Sequence, residues 1–128
     1  MQYLDSSAIV KLVAREPETG ELVDAVRADA DVVSSELAVT EVIRAVARAG
    51  GGVARANAVL DGIALVPIDG AILRDAAGLK PASLRTLDAI HLSTALSLGR
   101  DLDTVITYDR RLANAATRAG LTVSSPGR

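Results

Sequence analysis

Five acidic side chains stand where they could do chemistry. Asp88 lies in Leu84–Leu96, a helix pattern in which the same-face neighbours of Asp88 are Leu84, His91, Leu92 and Ala95. An ionised carboxylate on that apolar side is costly unless a hydrogen-bond donor, a cation or a water-filled cleft meets it. The other use for it is local: an acid in the first turn of its own helix, with Thr86 as the cap. Glu41 lies at the margin of a wide apolar arc between Leu37 and Ala45, half inward, with a surface pair to Arg44 as the competing use. Asp5, Asp69 and Asp109 each close a short strand pattern and open a helix pattern, a position that helix capping explains equally well. Periodicity does not rank these three.

If Asp5 and Asp109 face one another at the strand ends and two helices bring Glu41 and Asp88 beside them, four acids meet in one cleft. Like charges that close raise one another's pKa, so the cluster makes sense chiefly as a cation site. Oxygen donors without cysteine, and with a single histidine remote in the chain, select a hard ion, Mg²⁺ or Mn²⁺. Such an ion suits phosphodiester hydrolysis: it lowers the pKa of a water, aligns its attack and stabilises the leaving oxygen. Whether Asp109 or Glu41 instead holds the attacking water stays open.

The elements that must position these acids alternate. Gln2–Leu4 reads as a strand, after which Ser6 and Ser7 can cap a helix bearing Ala8, Ile9, Leu12 and Val13. Helices are expected over residues 21–30, 37–49, 53–63, 71–77 and 110–119, and strands begin at Val32 and span 64–68, 104–108 and 121–123. Gly50–Gly52 and Gly120 stop two of the helices, and residues 78–83 form the loop into the Asp88 helix. Strands alternating with helices predict βαβ units: an α/β fold, a three-layer α/β/α sandwich around a parallel sheet. Ligands bind such sheets outside the carboxyl ends of the strands.

With 128 residues, 49% of them hydrophobic, one domain spanning 1–128 is expected. No apolar run is long enough to cross a bilayer and the N-terminus lacks a signal-peptide pattern, so a soluble, cytoplasmic protein without membrane contact is expected. The absence of cysteine excludes disulfides, thiolate metal sites and a cysteine nucleophile. A formal charge of −2 gives no bulk attraction to nucleic acid, although 12 of the 14 basic residues are arginine, whose planar fork suits phosphate. Two tyrosines and no Trp or Phe leave almost no platform for stacking single-stranded bases.

Four segments together resemble the motifs of PIN-domain ribonucleases, specifically the VapC-type toxins of bacterial toxin–antitoxin pairs. They are Asp5-Ser6-Ser7-Ala8, Leu37-Ala38-Val39-Thr40-Glu41-Val42, Leu84-Arg85-Thr86-Leu87-Asp88-Ala89-Ile90-His91-Leu92 and Thr107-Tyr108-Asp109-Arg110-Arg111-Leu112. The resemblance runs over almost the whole chain in the right order. It implies a sheet of four or five parallel strands, Mg²⁺-dependent endonucleolytic cleavage of RNA, a VapB-type antitoxin that occludes the cleft, and a homodimer. It also ranks the acids: Asp5, Glu41, Asp88 and Asp109 match the quartet and Asp69 reverts to a cap. Ser7 and Thr107 match the hydroxyl positions that orient the acids. Arg85 and Arg110 are candidates for phosphate contact, against ion pairs with the acids themselves. His91 is expected to be a buried hydrogen-bonding residue rather than a base. The scarcity of aromatics points to a folded RNA recognised by shape and backbone.

Two other functions compete. A catalytically inactive PIN-like interaction module would keep the fold and bind a partner without cleaving RNA. A phosphatase of the haloacid dehalogenase type also uses strand-end aspartates, but needs an aspartate two residues after Asp5, where this chain has Ser7.

Overall fold

Short runs of β-branched and aliphatic residues alternate with longer helix patterns, and the chain winds accordingly into a parallel sheet clad in helices. The structure, a computed structural model that describes residues 1–29 and 31–128, runs β1 (Gln2–Leu4), α1 (Ser6–Val13), α2 (Thr19–Arg27), β2 (Val32–Ser35), α3 (Leu37–Arg48), α4 (Val53–Asp61), β3 (Ala64–Val66), α5 (Gly70–Ala77), α6 (Thr86–Ser97), β4 (Thr104–Ile106), α7 (Arg110–Arg118) and β5 (Val123–Ser124). All strand pairs are parallel, in the order β3-β2-β1-β4-β5.

Period-two alternation on the central strands supplies both layers. Leu4 and Ile106 enter one core with Ala8, Ile9 and Val13 of α1, Leu22 of α2, Val42 and Val46 of α3 and Leu60 of α4. Their neighbours Tyr3, Val33 and Val105 face the other side, where Ala95 of α6 meets them. There α6 packs between α5, through Ile72 and Ala76, and α7, through Leu112 and Ala115. The α/β/α sandwich expected from the sequence is therefore present.

The strand order places a topological switch point between β1 and β4, because the chain leaves β1 toward β2 and later returns to β1's other side. Asp5 and Asp109 are the caps of the helices that leave these two strands. The crevice between them, at the carboxyl ends, is where sheets of this kind take ligands.

Several expected boundaries shift. The strands are shorter than their apolar runs: β3 ends at Val66 rather than residue 68, and β4 at Ile106 rather than Tyr108. The second helix starts at Thr19 and ends at Arg27; its expected end at residue 30 lies outside the described residues. Ser6 and Ser7 are helical, and Asp5 caps α1. Arg85, not Thr86, takes the cap position of α6, with no side-chain cap bond. Finally, α6 is not amphipathic. It is buried from Ala89 to Ala95, including Ser93 and Thr94, whose hydroxyls bond the carbonyls of Ile72 and Ile90.

Candidate active site at the strand ends

Asp5, Asp69 and Asp109 each cap a helix, accepting from the backbone N–H of Ala8, Ile72 and Leu112. Only two of the three do more. Asp5, buried beneath the switch point, takes the Ser7 hydroxyl on Oδ1 and the Thr107 hydroxyl on Oδ2, both at 2.6 Å. The Asp109 backbone N–H then donates to Thr107 Oγ1 at 3.0 Å, which ties the end of β1 to the end of β4 through one hydroxyl. Burial pushes the Asp5 carboxyl above its ordinary value, against the pull of its Ser7, Thr107 and Ala8 hydrogen bonds.

A helix that follows a strand, or leads into the next one, begins at the carboxyl edge of a parallel sheet, and α3 and α6 deliver Glu41 and Asp88 there for that reason. Asp88 finds its partner in Arg85, which donates from Nε at 2.9 Å, while Nη2 of the same guanidinium reaches Asp109 Oδ2 at 2.6 Å. One cation thus spans two of the acids. Of the two roles open to Arg85, the structure shows the ion pair; Arg110 makes none among the described residues.

Glu41 makes no pair with Arg44. Its Oε1 instead accepts from His91 Nε2 and from the Ser6 hydroxyl, each at 2.6 Å. Burial raises the Glu41 carboxyl, but these hydrogen bonds outweigh it and hold it below the usual glutamate value. His91, remote along the chain, is therefore a direct neighbour of the site, as the buried hydrogen-bonding residue it was expected to be, and it is joined by Ser6, expected only as a helix cap, and by Tyr3, which the motifs do not include. The signal for His91 was its place on the apolar side of the Asp88 helix, where burial obliges both ring nitrogens to find partners.

Among the described residues no three His, Cys, Asp or Glu side chains gather into a ready ion cage. The expected four-acid cluster is instead strung along the strand ends: Asp5 on hydroxyls, Glu41 on His91, and Asp88 with Asp109 on Arg85. The donor chemistry still suits a hard divalent ion. The donors are carboxylate and hydroxyl oxygens, Asp5 has no ion-pair partner among the described residues, and a guanidinium already bridges the two more open acids. Beside Glu41 a cleft of about 700 Å³ opens between α1 and α3, lined by Ser6, Val10, Leu37, Arg44, Leu87 and Tyr108 among others.

The family profile described as PIN domain matches residues 2–118. The chain belongs to the PIN-domain family. Within it, this PIN domain is 47% identical over 125 residues to Ribonuclease VapC46 of Mycobacterium tuberculosis, covering 97% of the chain and 96% of that protein. It is 40% identical over 133 residues to Ribonuclease VapC47 of the same species, covering 99% and 98%. Among solved structures it superposes on a toxin-antitoxin complex from Klebsiella pneumoniae with a TM-score of 0.75 at 20% identity, covering 98% of each chain. It superposes on Mycobacterium tuberculosis VapC20, a sarcin-ricin loop cleaving toxin, with 0.74 at 14%, covering 98% and 100%. The PIN fold thus accounts for the parallel sheet and its helical layers over nearly the full chain.

Proposed function

We propose that this chain is a divalent-metal-dependent endoribonuclease, the toxin of a toxin–antitoxin pair. The observation that carries the reading is the convergence at one switch point of the Asp5 and Asp109 caps, with Asp88 joined to Asp109 through Arg85. The names and titles of its relatives, ribonucleases and toxin-antitoxin assemblies, support it.

In this reading Asp5, Glu41, Asp88 and Asp109 hold Mg²⁺, with Mn²⁺ as substitute. The ion would supply acidity to a water and charge neutralisation to the phosphate under attack. Thr107 and Ser7 fix the Asp5 carboxylate by donating to its two oxygens. Glu41, kept ionised by His91 and Ser6, is available to accept a proton or an ion. Arg85 and Arg110 lie at the start of α6 and α7, where they can contact the phosphates flanking the cut. An antitoxin that covers the strand ends, a homodimer, a single domain over 1–128 and a cytoplasmic location belong to the same reading. No helix among the described residues is long and apolar enough to cross a membrane.

The test is cleavage of total RNA by purified protein with Mg²⁺ or Mn²⁺, with and without chelator. Asp88→Asn is expected to lower cleavage on the order of 100-fold or more, the loss of several kcal/mol of transition-state stabilisation. Wild-type rates in that variant, or cleavage indifferent to chelator, overturn the reading. Absence of cleavage with either ion, alongside tight capture of a partner protein, assigns the chain to the non-catalytic module instead.

A further inference from the structure

A buried polar relay runs from the sheet to Glu41. Tyr3 of β1 is fully buried, and its hydroxyl lies 2.7 Å from His91 Nδ1. The two rings meet edge to face, with centroids 5.9 Å apart and an interplanar angle of 74°. His91 is 2% exposed, and its Nε2 lies 2.6 Å from Glu41 Oε1.

The proton positions follow from the partners. Glu41 Oε1 also receives the Ser6 hydroxyl, so it is an acceptor and Nε2 must bring the proton. On the other side, a neutral imidazole carries one proton, and with Nε2 holding it Nδ1 is an acceptor, so the Tyr3 hydroxyl is the donor to Nδ1. Each member is thereby oriented by the one behind it, from a residue in the rigid centre of the sheet out to a carboxylate that is only partly buried.

We infer that His91 is a positioning residue, held by Tyr3 as the Nε2–H tautomer, that aims the Glu41 carboxylate at the cation-binding end of the sheet. This rests on the proposed metal-dependent reaction for its purpose, though not for its geometry. Without the relay, Glu41 keeps only the Ser6 hydroxyl to hold it, on a side chain with three rotatable bonds. A ligand aimed by a partner behind it typically loses 10–100-fold in metal affinity or activity when that partner is removed.

His91 is the chain's only histidine, so ¹⁵N-histidine labelling gives a one-residue spectrum. The expected result is a protonated Nε2 and an unprotonated, hydrogen-bonded Nδ1. An Nδ1–H tautomer, or protons on both nitrogens, overturns the assignment. In parallel, Mn²⁺ affinity is measured calorimetrically for His91→Leu and His91→Gln. The leucine variant is expected to bind about 10–100-fold more weakly, and the glutamine variant, whose amide can donate where Nε2 did, to recover most of that loss. RNA cleavage is expected to follow in kcat with KM unchanged. Should the leucine variant fail to fold, Tyr3→Phe takes its place, with a smaller loss of the same sign expected. Wild-type Mn²⁺ affinity in the folded apolar variant, or equal losses in leucine and glutamine, leaves His91 a packing residue only. A wild-type protein that binds Mn²⁺ yet cleaves no RNA sinks the nuclease reading while the tautomer and affinity results still decide the role of His91.

Discussion

Arg85 holds two carboxylates with one guanidinium, yet its side chain is 57% exposed, so the pairing is cheap to break. A divalent ion carries twice the charge and would compete for the same oxygens, and in the proposed reaction its binding would free Arg85 to meet a phosphate. Replacing the residue therefore acts with opposite signs on two measurements. Arg85→Ala is expected to leave folding stability nearly unchanged and Mn²⁺ affinity equal or higher. It is expected to lower RNA cleavage about tenfold, the worth of one charge-assisted hydrogen bond. Unchanged cleavage removes Arg85 from substrate contact; weaker Mn²⁺ binding means that it orients the acids rather than competing for them. At this scale the sequence was half legible. An acid on the apolar side of α6 had to have a partner, and Arg85 was a candidate for it, but choosing between phosphate and ion pair needs coordinates. Glu41 was less legible still: its inward lean was visible, whereas its partner sits 50 residues further on, a separation that no local spacing encodes.

Among the elements, α1 does most to hold the site, since its cap is Asp5 and its first turn carries Ser6 and Ser7. Its far end is secured by Lys11, whose side chain is only 9% exposed and whose ammonium lies 2.9 Å from both Glu16 and Glu18 and 4.7 Å from the centre of the Tyr108 ring. Burial lowers the Lys11 pKa, but Glu18 and Glu16 more than reverse this and the charge is retained. Glu18 moves the other way, held below its ordinary 4.5 chiefly by the Lys11 hydrogen bond. A carboxylate whose folded pKa is depressed contributes stability that is complete above its unfolded pKa and disappears as pH falls through the folded one. Acidification below 4.5 is therefore expected to loosen the α1–α2 junction first, read as falling amide protection there while β1 and β4 stay protected. Glu18→Gln is expected to abolish the local step; a junction that opens only with the whole molecule argues that the Lys11 cluster adds nothing. Element types were largely readable because strand and helix periods differ, and Gly50 and Gly120 at positive φ marked two helix ends. The burial of α6 on all sides was not, since Ser93 and Thr94 look polar in sequence and behave as core once their hydroxyls find carbonyls within reach.

At the scale of the whole molecule, alternation of strands and helices announces a parallel sheet, but not the order of its strands, and the order decides which loops share a crevice. With β1 between β2 and β4, the acids after β1 and β4 become neighbours although 104 positions separate them. The fold thus concentrates negative charge at one edge of a chain whose net charge is only −2, a local cost that any bound cation offsets. An ion that binds the folded chain and not the unfolded one stabilises it by mass action, about 2.7 kcal/mol when its concentration is 100-fold above Kd. At roughly 4 °C per kcal/mol for a domain of this size, saturating Mn²⁺ is expected to raise Tm by about 10 °C. Asp88→Asn is expected to forfeit most of that rise while melting near wild type without the ion. A core truncation such as Leu4→Ala behaves differently: it is expected to lose about 2–5 kcal/mol whether or not the ion is present, because the Leu4 side chain packs among the apolar side chains of α1, α3 and α4. Melting that is indifferent to Mg²⁺ and Mn²⁺ in the wild type, with the same Leu4→Ala loss, means that hydroxyls, His91 and Arg85 alone satisfy the acids, and the strand-end crevice then serves a protein partner rather than a phosphodiester.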